Sequence, residues 1–192
     1  MNEKVLVVKK LSKTYGTKQV VNQVDLVIEK GSFTAILGPN GAGKSTTIAM
    51  LSTLTQATSG DIYYDGLAIK DHLKQVRPKI GIVFQNSLLD EALSVKENLS
   101  IQAGLYKHIS QERIDEVIAL TSLTGILKQP VSQLSGGQKR RVDIAVSVLH
   151  QPEILFLDEP TTGLDIQTRL AIWEVLQNMK AKEAMTIVLT TH

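Results

Sequence analysis

The chain has 192 residues, no cysteine and a formal net charge of +2 at pH 7. Its length predicts one domain with a substantial core, and the weak charge argues against nucleic acid as a partner, because nucleic-acid-binding domains carry a strong basic excess. We expect no signal peptide and no membrane helix, since no apolar run approaches the roughly 20 residues that a bilayer requires. The absence of cysteine suits a reducing cytosol. The chain therefore cannot form a transmembrane pathway by itself.

Apolar runs bounded by glycine predict several strands. The half-buried strands of the first part lie at 5–8, 24–28 and 62–64. Three runs are almost continuously apolar or β-branched, which predicts central strands that are covered on both faces. They are FTAIL (33–37), ILFLD (154–158) and TIVLT (186–190), and GIVF (81–84) is a weaker fourth.

The middle of the chain has the spacing of amphipathic helices. Ser94 and Glu97 form a capping box that opens a helix toward Tyr106. The residues predicted to cap or open the later helices are Ser110, Ser135 and Asp165. This helical region separates two groups of strands. It predicts an α/β core into which an α-helical subdomain is inserted.

A glycine-rich loop, GPNGAGKS at 38–45, matches the pattern G-x-x-x-x-G-K-[ST] between a predicted strand and a predicted helix. Such a loop turns several backbone N–H groups toward phosphate oxygens at the positive end of the next helix. Lys44 is predicted to reach the β- and γ-phosphates, and the Ser45 hydroxyl to bind Mg²⁺. The predicted phosphate-binding residues are Gly38, Pro39, Asn40, Gly41, Ala42, Gly43, Lys44, Ser45 and Thr46.

Two carboxylates follow the buried run at 154–158. Asp158 and Glu159 stand at the carboxyl end of a predicted strand, where α/β folds bind ligands. Asp158 suits Mg²⁺, and Glu159 is predicted to polarise the attacking water. Alone, an acidic pair before proline is equally consistent with a turn. The phosphate loop favours the functional interpretation.

A second glycine motif, LSGGQ at 134–138, opens a predicted helix. Ser135, Gly136 and Gly137 supply small side chains and N–H groups at a helix N-terminus, a second possible anion nest. A simple helix cap with a glycine turn is the alternative for a string this short.

The three motifs together, in this order, resemble the ATP-binding cassette (ABC) ATPases over essentially the whole chain. Residues 38–45 correspond to Walker A, 134–138 to the ABC signature and 154–159 to Walker B. The resemblance further assigns Gln85 to the Q-loop, Asp165 to the D-loop, His192 to the switch histidine and Tyr15 to adenine stacking.

This resemblance implies a fold. The expected architecture is an α/β P-loop NTPase core with a mainly parallel central sheet, an N-terminal antiparallel β-subdomain and an inserted helical subdomain. The chain forms one domain, 1–192, that is short at its C-terminal end. Its core comprises 1–85 and 150–192, and its helical subdomain comprises 86–149.

The resemblance also implies a mechanism. ATP and Mg²⁺ bind between two chains arranged head to tail, so that Walker A of one faces the signature of the other. Glu159, His192 and Gln85 are the implied catalytic residues, and Ser45, Gln85 and Asp158 the implied Mg²⁺ ligands. The implied ATP contacts beyond Walker A are Tyr15, Ser135, Gly136, Gly137, Gln138 and Asp165.

Three short strings narrow the resemblance to one type of ABC ATPase subunit. The strings at 88–99, 134–145 and 159–165 resemble separately encoded ATPase subunits of the drug-export, daunorubicin-resistance-like type. The resemblance implies export of a drug, lipid or other hydrophobic compound through a separate transmembrane permease. It also implies a second ATPase subunit, identical or paralogous, and a peripheral position on the cytoplasmic face of the membrane.

Two alternatives remain open at this stage. One is a soluble ABC ATPase that acts on DNA or ribosomes. The DNA-repair type is disfavoured because only about 50 residues without heptads separate Gln85 from the signature, and the ribosome-associated type because it normally has two cassettes in tandem. A truncated module with little turnover is also consistent with an end at His192, which predicts an exposed sheet edge at the last strand. The basic run 139–141 is expected to be solvated, and His72, His108 and His150 are expected at the surface.

Overall fold

The computed structural model describes residues 3–191, which form two four-stranded sheets and six α-helices. The strands are β1 (Lys4–Tyr15), β2 (Lys18–Glu29), β3 (Phe33–Leu37), β4 (Ser59–Tyr64), β5 (Leu67–Ala68), β6 (Ile80–Val83), β7 (Ile154–Leu157) and β8 (Thr186–Thr191). The helices are α1 (Lys44–Leu51), α2 (Ile69–Val76), α3 (Val95–Gly104), α4 (Gln111–Leu120), α5 (Gly136–Val148) and α6 (Ile166–Glu183). Short 3₁₀ turns occupy Arg77–Lys79, Thr124–Ile126 and Val131–Gln133.

The first sheet is antiparallel, with the strand order β2-β1-β4-β5. Its two long strands continue well beyond the apolar runs that predicted them. The pairing of β1 with β2 changes register between Val8 and Leu11 and again toward Tyr15. Polar residues with irregular pairing thus extend the hairpin, and simple alternation underestimates its length.

The second sheet is parallel, with the order β3-β8-β7-β6. Within residues 3–191, β3 pairs only with β8, and Leu37 is 70% exposed. The prediction of a central strand covered on both faces was therefore wrong for β3 and right for β7 and β8. The expected edge at the last strand was also wrong, because β8 lies between β3 and β7.

Three of the helices follow β6 before the chain returns to the sheet at β7. Ser94 caps α3 in the predicted capping box, and the helix runs toward Tyr106 as far as Gly104. Ser110 caps α4 through the Arg113 amide. The sequence did not predict α2, whose eight mostly polar residues bury only Ile69 and Val76.

Two hydrophobic clusters lie on opposite faces of the parallel sheet. The first combines Leu155, Leu157 and Leu189 with buried residues of α3 to α6. The second combines Ile154 and Phe156 with α1 and the antiparallel sheet. Alternate residues of β7 thus point to opposite faces, as a strand buried on both sides requires.

Among residues 3–191, no helix is both long and apolar enough to cross a bilayer.

Candidate functional site

The phosphate loop connects the end of β3 to the start of α1. Gly43 caps α1 with a φ of 85°. A Cβ atom on Gly43 would lie 2.4 Å from the Val20 carbonyl oxygen on β2. Only glycine therefore fits, for its left-handed backbone and for its close approach to the antiparallel sheet. The first turn of α1 leaves backbone N–H groups without acceptors inside the helix.

The Lys44 ammonium group lies inside the loop. Its side chain is 6% exposed, and Nζ donates to the carbonyl oxygens of Gly38 at 2.8 Å and Pro39 at 3.2 Å. Nζ also lies 3.6 Å from Oε1 of Glu159. The loop thus holds a positive charge at the point where the sequence places the phosphates.

Asp158 lies just after β7 and joins three elements of the site. Its Oδ1 accepts hydrogen bonds from Ser45 Oγ at 3.1 Å and from Thr190 Oγ1 at 2.6 Å. Thr190 is fully buried on β8, and its hydroxyl also accepts from the Glu159 amide at 2.9 Å. One β8 hydroxyl therefore fixes both acidic residues relative to each other.

Glu159 is directed differently from Asp158. Its backbone is left-handed, with a φ of 48°, and the residue is 8% exposed. Oε2 accepts a hydrogen bond from Thr162 Oγ1 at 3.1 Å, and Oε1 faces Lys44. A non-glycine residue at positive φ carries strain that clusters at functional sites.

Lys44, Ser45 and Glu159 line one cavity of about 460 Å³, whereas Asp158 reaches it only through its hydrogen bond with Ser45. It is lined by Val20, Asn40, Gly41, Gly43, Lys44, Ser45, Thr46, Gln85, Glu159 and Thr162. The structure thus brings the phosphate loop, Gln85 and Glu159 together. Neither Tyr15 nor the 134–138 motif lines this cavity.

Tyr15 lies at the end of β1 and is 52% exposed. The Lys13 ammonium lies 4.9 Å from the centre of its ring and donates to the Gln56 carbonyl oxygen. The ring is therefore held by a cation–π contact while it remains accessible, as stacking on a base requires.

The 134–138 motif forms the start of α5 and part of its packing. Ser135 and Gln138 make a reciprocal capping box. A Cβ on Gly137 would lie 2.1 Å from Cγ2 of Thr168 on α6. Asp165 caps α6 by accepting from the Thr168 amide and hydroxyl, and these bonds lower the pKa of its exposed carboxyl. The motif and Asp165 thus belong to one packed unit.

Magnesium is compatible with the donors at this site. The Ser45 hydroxyl and an Asp158 carboxylate oxygen lie 3.1 Å apart, and both are hard oxygen donors of the kind that Mg²⁺ prefers. Residues 3–191 contain no cluster of three His, Cys, Asp or Glu side chains suited to a metal. Gln85, the third predicted Mg²⁺ ligand, lines the same cavity as Ser45.

His192 lies outside the described residues. Sequence reasoning missed three residues of the site: Thr162, Thr190 and Arg140. Threonines in a turn and in a buried strand carry no distinctive signal. Arg140 stands in the basic run predicted to be solvated, yet it is only 8% exposed. For Arg140 that prediction was wrong, because its guanidinium is hydrogen-bonded to backbone carbonyls inside the protein.

The chain belongs to the ABC transporter family, whose family model matches residues 21–162. The Nod factor export ATP-binding protein I of Cupriavidus pinatubonensis is 39% identical over 191 residues, which are 98% of this chain and 58% of that protein. The linearmycin resistance ATP-binding protein LnrL of Bacillus subtilis is 38% identical, over 95% of this chain and 59% of that protein.

The daunorubicin resistance ATP-binding protein DrrA3 of Streptomyces coeruleorubidus is 36% identical over 100% of this chain and 61% of its own length. The chain therefore spans about three fifths of these relatives. The predicted resemblance to ABC ATP-binding subunits, including those for daunorubicin resistance, is confirmed.

Solved structures give the same answer for the fold. CbiO1 of Clostridium perfringens, part of the ABC transporter complex CbiONQ, superposes with a TM-score of 0.90 at 32% identity, over 99% of this chain and 79% of that one. The cassette MJ0796, a dimer bound to ADP and Pi, has a TM-score of 0.84 at 32% identity, over 97% and 88% of the two chains. The predicted ABC ATPase fold is confirmed.

Proposed function

We propose that this chain binds and hydrolyses ATP as a subunit of an ABC exporter, in a head-to-tail dimer on a separate transmembrane partner. The observation that carries the proposal is the meeting of Lys44, Ser45, Gln85 and Glu159 around one cavity, while the signature residues lie elsewhere on the chain. A second chain is then required to bring a signature to each phosphate site.

Each residue of the cavity has a task in this proposal. Lys44 leaves its loop carbonyls to bind β- and γ-phosphate oxygens. Ser45 and Asp158 would hold Mg²⁺, which would supply positive charge beside the transferred phosphoryl group. Glu159, held by Thr162 at Oε2, orients the attacking water and accepts its proton. Gln85 and His192 complete the environment of the γ-phosphate.

Dimerisation is supported by the signature itself. Ser135 and the two glycines present a helix N-terminus whose dipole favours an anion. Ser135 and Gly136 are exposed, whereas Gly137 is buried against α6. The dimer of the related cassette MJ0796 with ADP and Pi supports a nucleotide between two chains. Asp165, beside the signature, would act across the same interface.

A groove next to Gln85 supports a membrane partner. It has a volume of about 310 Å³ and lies between the segment after β6 and the helices α3 and α5. Two of the apolar side chains that line it are exposed, Leu88 at 75% and Ile101 at 57%. Exposed apolar side chains grouped in this way suit a partner surface. A cytoplasmic segment of a permease fits, and it would hold this chain on the cytoplasmic face of the membrane.

The cargo follows from the relatives rather than from the site. Their names specify Nod factor export, linearmycin resistance and daunorubicin resistance. A drug, lipid or other hydrophobic compound is therefore the proposed cargo, with the permease as the chain that selects it.

Three variants test the proposal in one experiment, in which molar mass is measured by light scattering with and without Mg²⁺-ATP. Glu159→Gln is expected to bind ATP and form a stable dimer, because the bound ATP is not hydrolysed and the dimer therefore does not dissociate. Lys44→Ala is expected to lose ATP binding, by at least about 100-fold, because the phosphates lose their main charge partner. Ser135→Glu is expected to bind ATP normally and remain a monomer.

A dimer of Ser135→Glu with bound ATP would contradict the head-to-tail arrangement. Unchanged ATP affinity in Lys44→Ala would contradict the assignment of the phosphate loop. Co-purification from membranes then identifies the permease, and recovery of ribosomes or DNA in its place would refute the transport role.

A further inference from the structure

Arg140 binds the backbone that carries Gln85. From the second turn of α5, its guanidinium donates to the Phe84 carbonyl oxygen at 2.6 Å and to the Gln85 carbonyl oxygen at 3.0 Å. The residue is 8% exposed. A guanidinium is retained in such a place when its donors are satisfied, and its planar fork can bind two neighbouring carbonyls at once.

Asp143, one turn along the same helix, binds the next part of this segment. Its Oδ1 accepts a hydrogen bond from Ser87 Oγ at 2.7 Å, and its Oδ2 lies 3.9 Å from Nη1 of Arg140. Ser87 Oγ in turn accepts from the Leu89 amide at 3.3 Å. Two side chains of α5 therefore hold residues 84–87 at both ends.

The charge of Arg140 connects its contact with residues 84 and 85 to the acidic residues beside the nucleotide cavity. Burial lowers the pKa of the Arg140 guanidinium from its usual value, and the carboxylates of Asp143 and Asp158 oppose that shift. Arg140 is therefore within electrostatic reach of the carboxylate assigned to Mg²⁺. It remains charged at all physiological pH values.

The position of Arg140 on α5 connects the two motifs of the chain. Gln85 lines the nucleotide cavity, whereas α5 begins with the signature glycines. At 1.5 Å per residue, Arg140 lies about 6 Å along the helix axis from Gly136. A rigid helical turn thus separates the contact with Gln85 from the signature.

We propose that Arg140 is a positioning residue, which fixes the backbone at Gln85 so that the glutamine side chain faces the nucleotide. The proposal rests on the nucleotide-binding function proposed above, because it assigns Gln85 to the same site. Asp143 and Ser87 support this position from the other end of the segment.

Arg140→Lys is the informative variant, since it keeps the charge and loses the two-donor fork. Arg141→Lys is the matched control, because the same change one position along affects a single hydrogen bond, to the Ser122 carbonyl oxygen. Ser87→Ala is a second, milder variant that removes the hydrogen bonds of Ser87 Oγ to Asp143 and from the Leu89 amide, and it leaves both Arg140 contacts in place. Ser87→Ala becomes the test variant if Arg140→Lys lowers Tm so far that a local change in hydrogen exchange cannot be distinguished from general destabilisation.

Hydrogen exchange of the nucleotide-free protein tests the contact without any turnover. Exchange in the peptide 84–90 is expected to be about tenfold faster in Arg140→Lys, because a locally released segment opens more often. It should increase less in Ser87→Ala and stay unchanged in Arg141→Lys. Rates in the β7 peptide 154–157 should not change in any variant. Wild-type rates at 84–90 in Arg140→Lys, or an equal increase over the whole chain, would overturn the proposal.

A double-mutant cycle on Mg²⁺-ATP affinity tests the route through Gln85. Arg140→Lys is expected to weaken binding about three- to tenfold alone and to have no further effect in a Gln85→Ala background, since residues that act together are not additive. Additive losses would overturn the positioning role. If the wild type does not bind Mg²⁺-ATP, the proposed function fails, and the exchange experiment still decides whether Arg140 holds the segment.

Discussion

A single hydroxyl group organises the acidic residues of the site. Thr190 donates to Asp158 and accepts from the Glu159 amide, so it fixes the carboxylate assigned to Mg²⁺ and the one assigned to water. Because Thr190 is fully buried, water cannot easily replace these bonds.

Thr190→Val is expected to reduce turnover about tenfold and stability by ~1–3 kcal/mol, because it leaves a buried N–H of Glu159 without its acceptor. The Mg²⁺ concentration needed for half-maximal ATP binding should also increase, since Asp158 loses its orientation. Steady-state ATP hydrolysis measures the turnover, denaturant unfolding measures the stability, and calorimetric titration of Mg²⁺ at fixed ATP measures the Mg²⁺ dependence. Thr190→Ser keeps the hydroxyl and should retain wild-type Mg²⁺ dependence; an equal loss in the serine variant would refute the role of the hydroxyl.

At the residue scale, sequence predicted the groups that stand in contiguous motifs. Lys44 and Ser45 follow from one string and Asp158 and Glu159 from another, because local chain geometry alone places them. Thr190 and Arg140 depend on contacts between residues 31 to 56 positions apart. No local pattern carries that information.

At the level of elements, the first turns of α5 and α6 pack so closely that position 137 on α5 requires glycine. A Cβ atom at Gly137 would overlap Thr168, the residue that Asp165 uses to cap α6. The second glycine of the signature is therefore a packing requirement as well as a proposed phosphate contact.

Gly137→Ala is expected to destabilise the protein by ~1–3 kcal/mol, the usual cost of an extra methyl group in a packed interface. Thr168→Ser removes the overlapping methyl and keeps the hydroxyl bond to Asp165, so the double variant should recover most of the loss. Denaturant unfolding measures both. Gly125→Ala is the control, because a Cβ there meets no atom within 4 Å. A loss at Gly125 equal to that at Gly137 would contradict the packing argument.

Elements with a strong pattern were predictable, and elements without one were not. The buried strands β7 and β8 are almost purely apolar or β-branched, and the capping box at Ser94 marks the start of α3. By contrast, α2 is short and mostly polar, so its sequence has no clear helical pattern. It packs against β4, a contact that no local pattern predicts. The apolar string of β3 predicts a strand but not its place in the sheet, which depends on its neighbours.

For the whole molecule, the parallel sheet is the common wall of two hydrophobic clusters. One lies toward the helices from α3 to α6, and the other toward α1 and the antiparallel sheet. The sequence predicted this layered α/β class from the alternation of strands and helices. It did not predict how the helical region joins the core, since that depends on side chains far apart in the chain.

His150 stabilises one part of this junction. Its ring stacks on Tyr106, with the ring centres 4.4 Å apart, and Nε2 lies 3.0 Å from the Ile80 carbonyl oxygen. Within the described residues, Nδ1 is buried without a hydrogen-bond partner. The expectation of a surface histidine was wrong, because Tyr106 and the end of α5 cover the ring.

Burial, and to a lesser extent the charge of Arg113, lower the pKa of His150, while its bond to Ile80 opposes the shift. Unfolded histidine titrates near 6.5, so below that pH the unfolded chain binds a proton that the folded chain resists. The free energy of unfolding is therefore expected to fall as pH decreases from about 7 to 5. Urea unfolding at several pH values measures the slope, which His150→Gln should reduce.

His108→Gln removes an exposed imidazole and serves as the control. An equal reduction of the slope in both variants would show that His150 is not the group responsible.

The contact between Lys44 and Glu159 also affects how tightly the Glu159→Gln variant is expected to hold ATP. Both side chains are almost excluded from solvent, so dissolved salt screens their attraction weakly. An incoming triphosphate must compete with that carboxylate for the ammonium group. Glu159→Gln then removes a rival anion in addition to the proposed proton acceptor, and it should retain even a non-hydrolysable ATP analogue more tightly than the unaltered protein does.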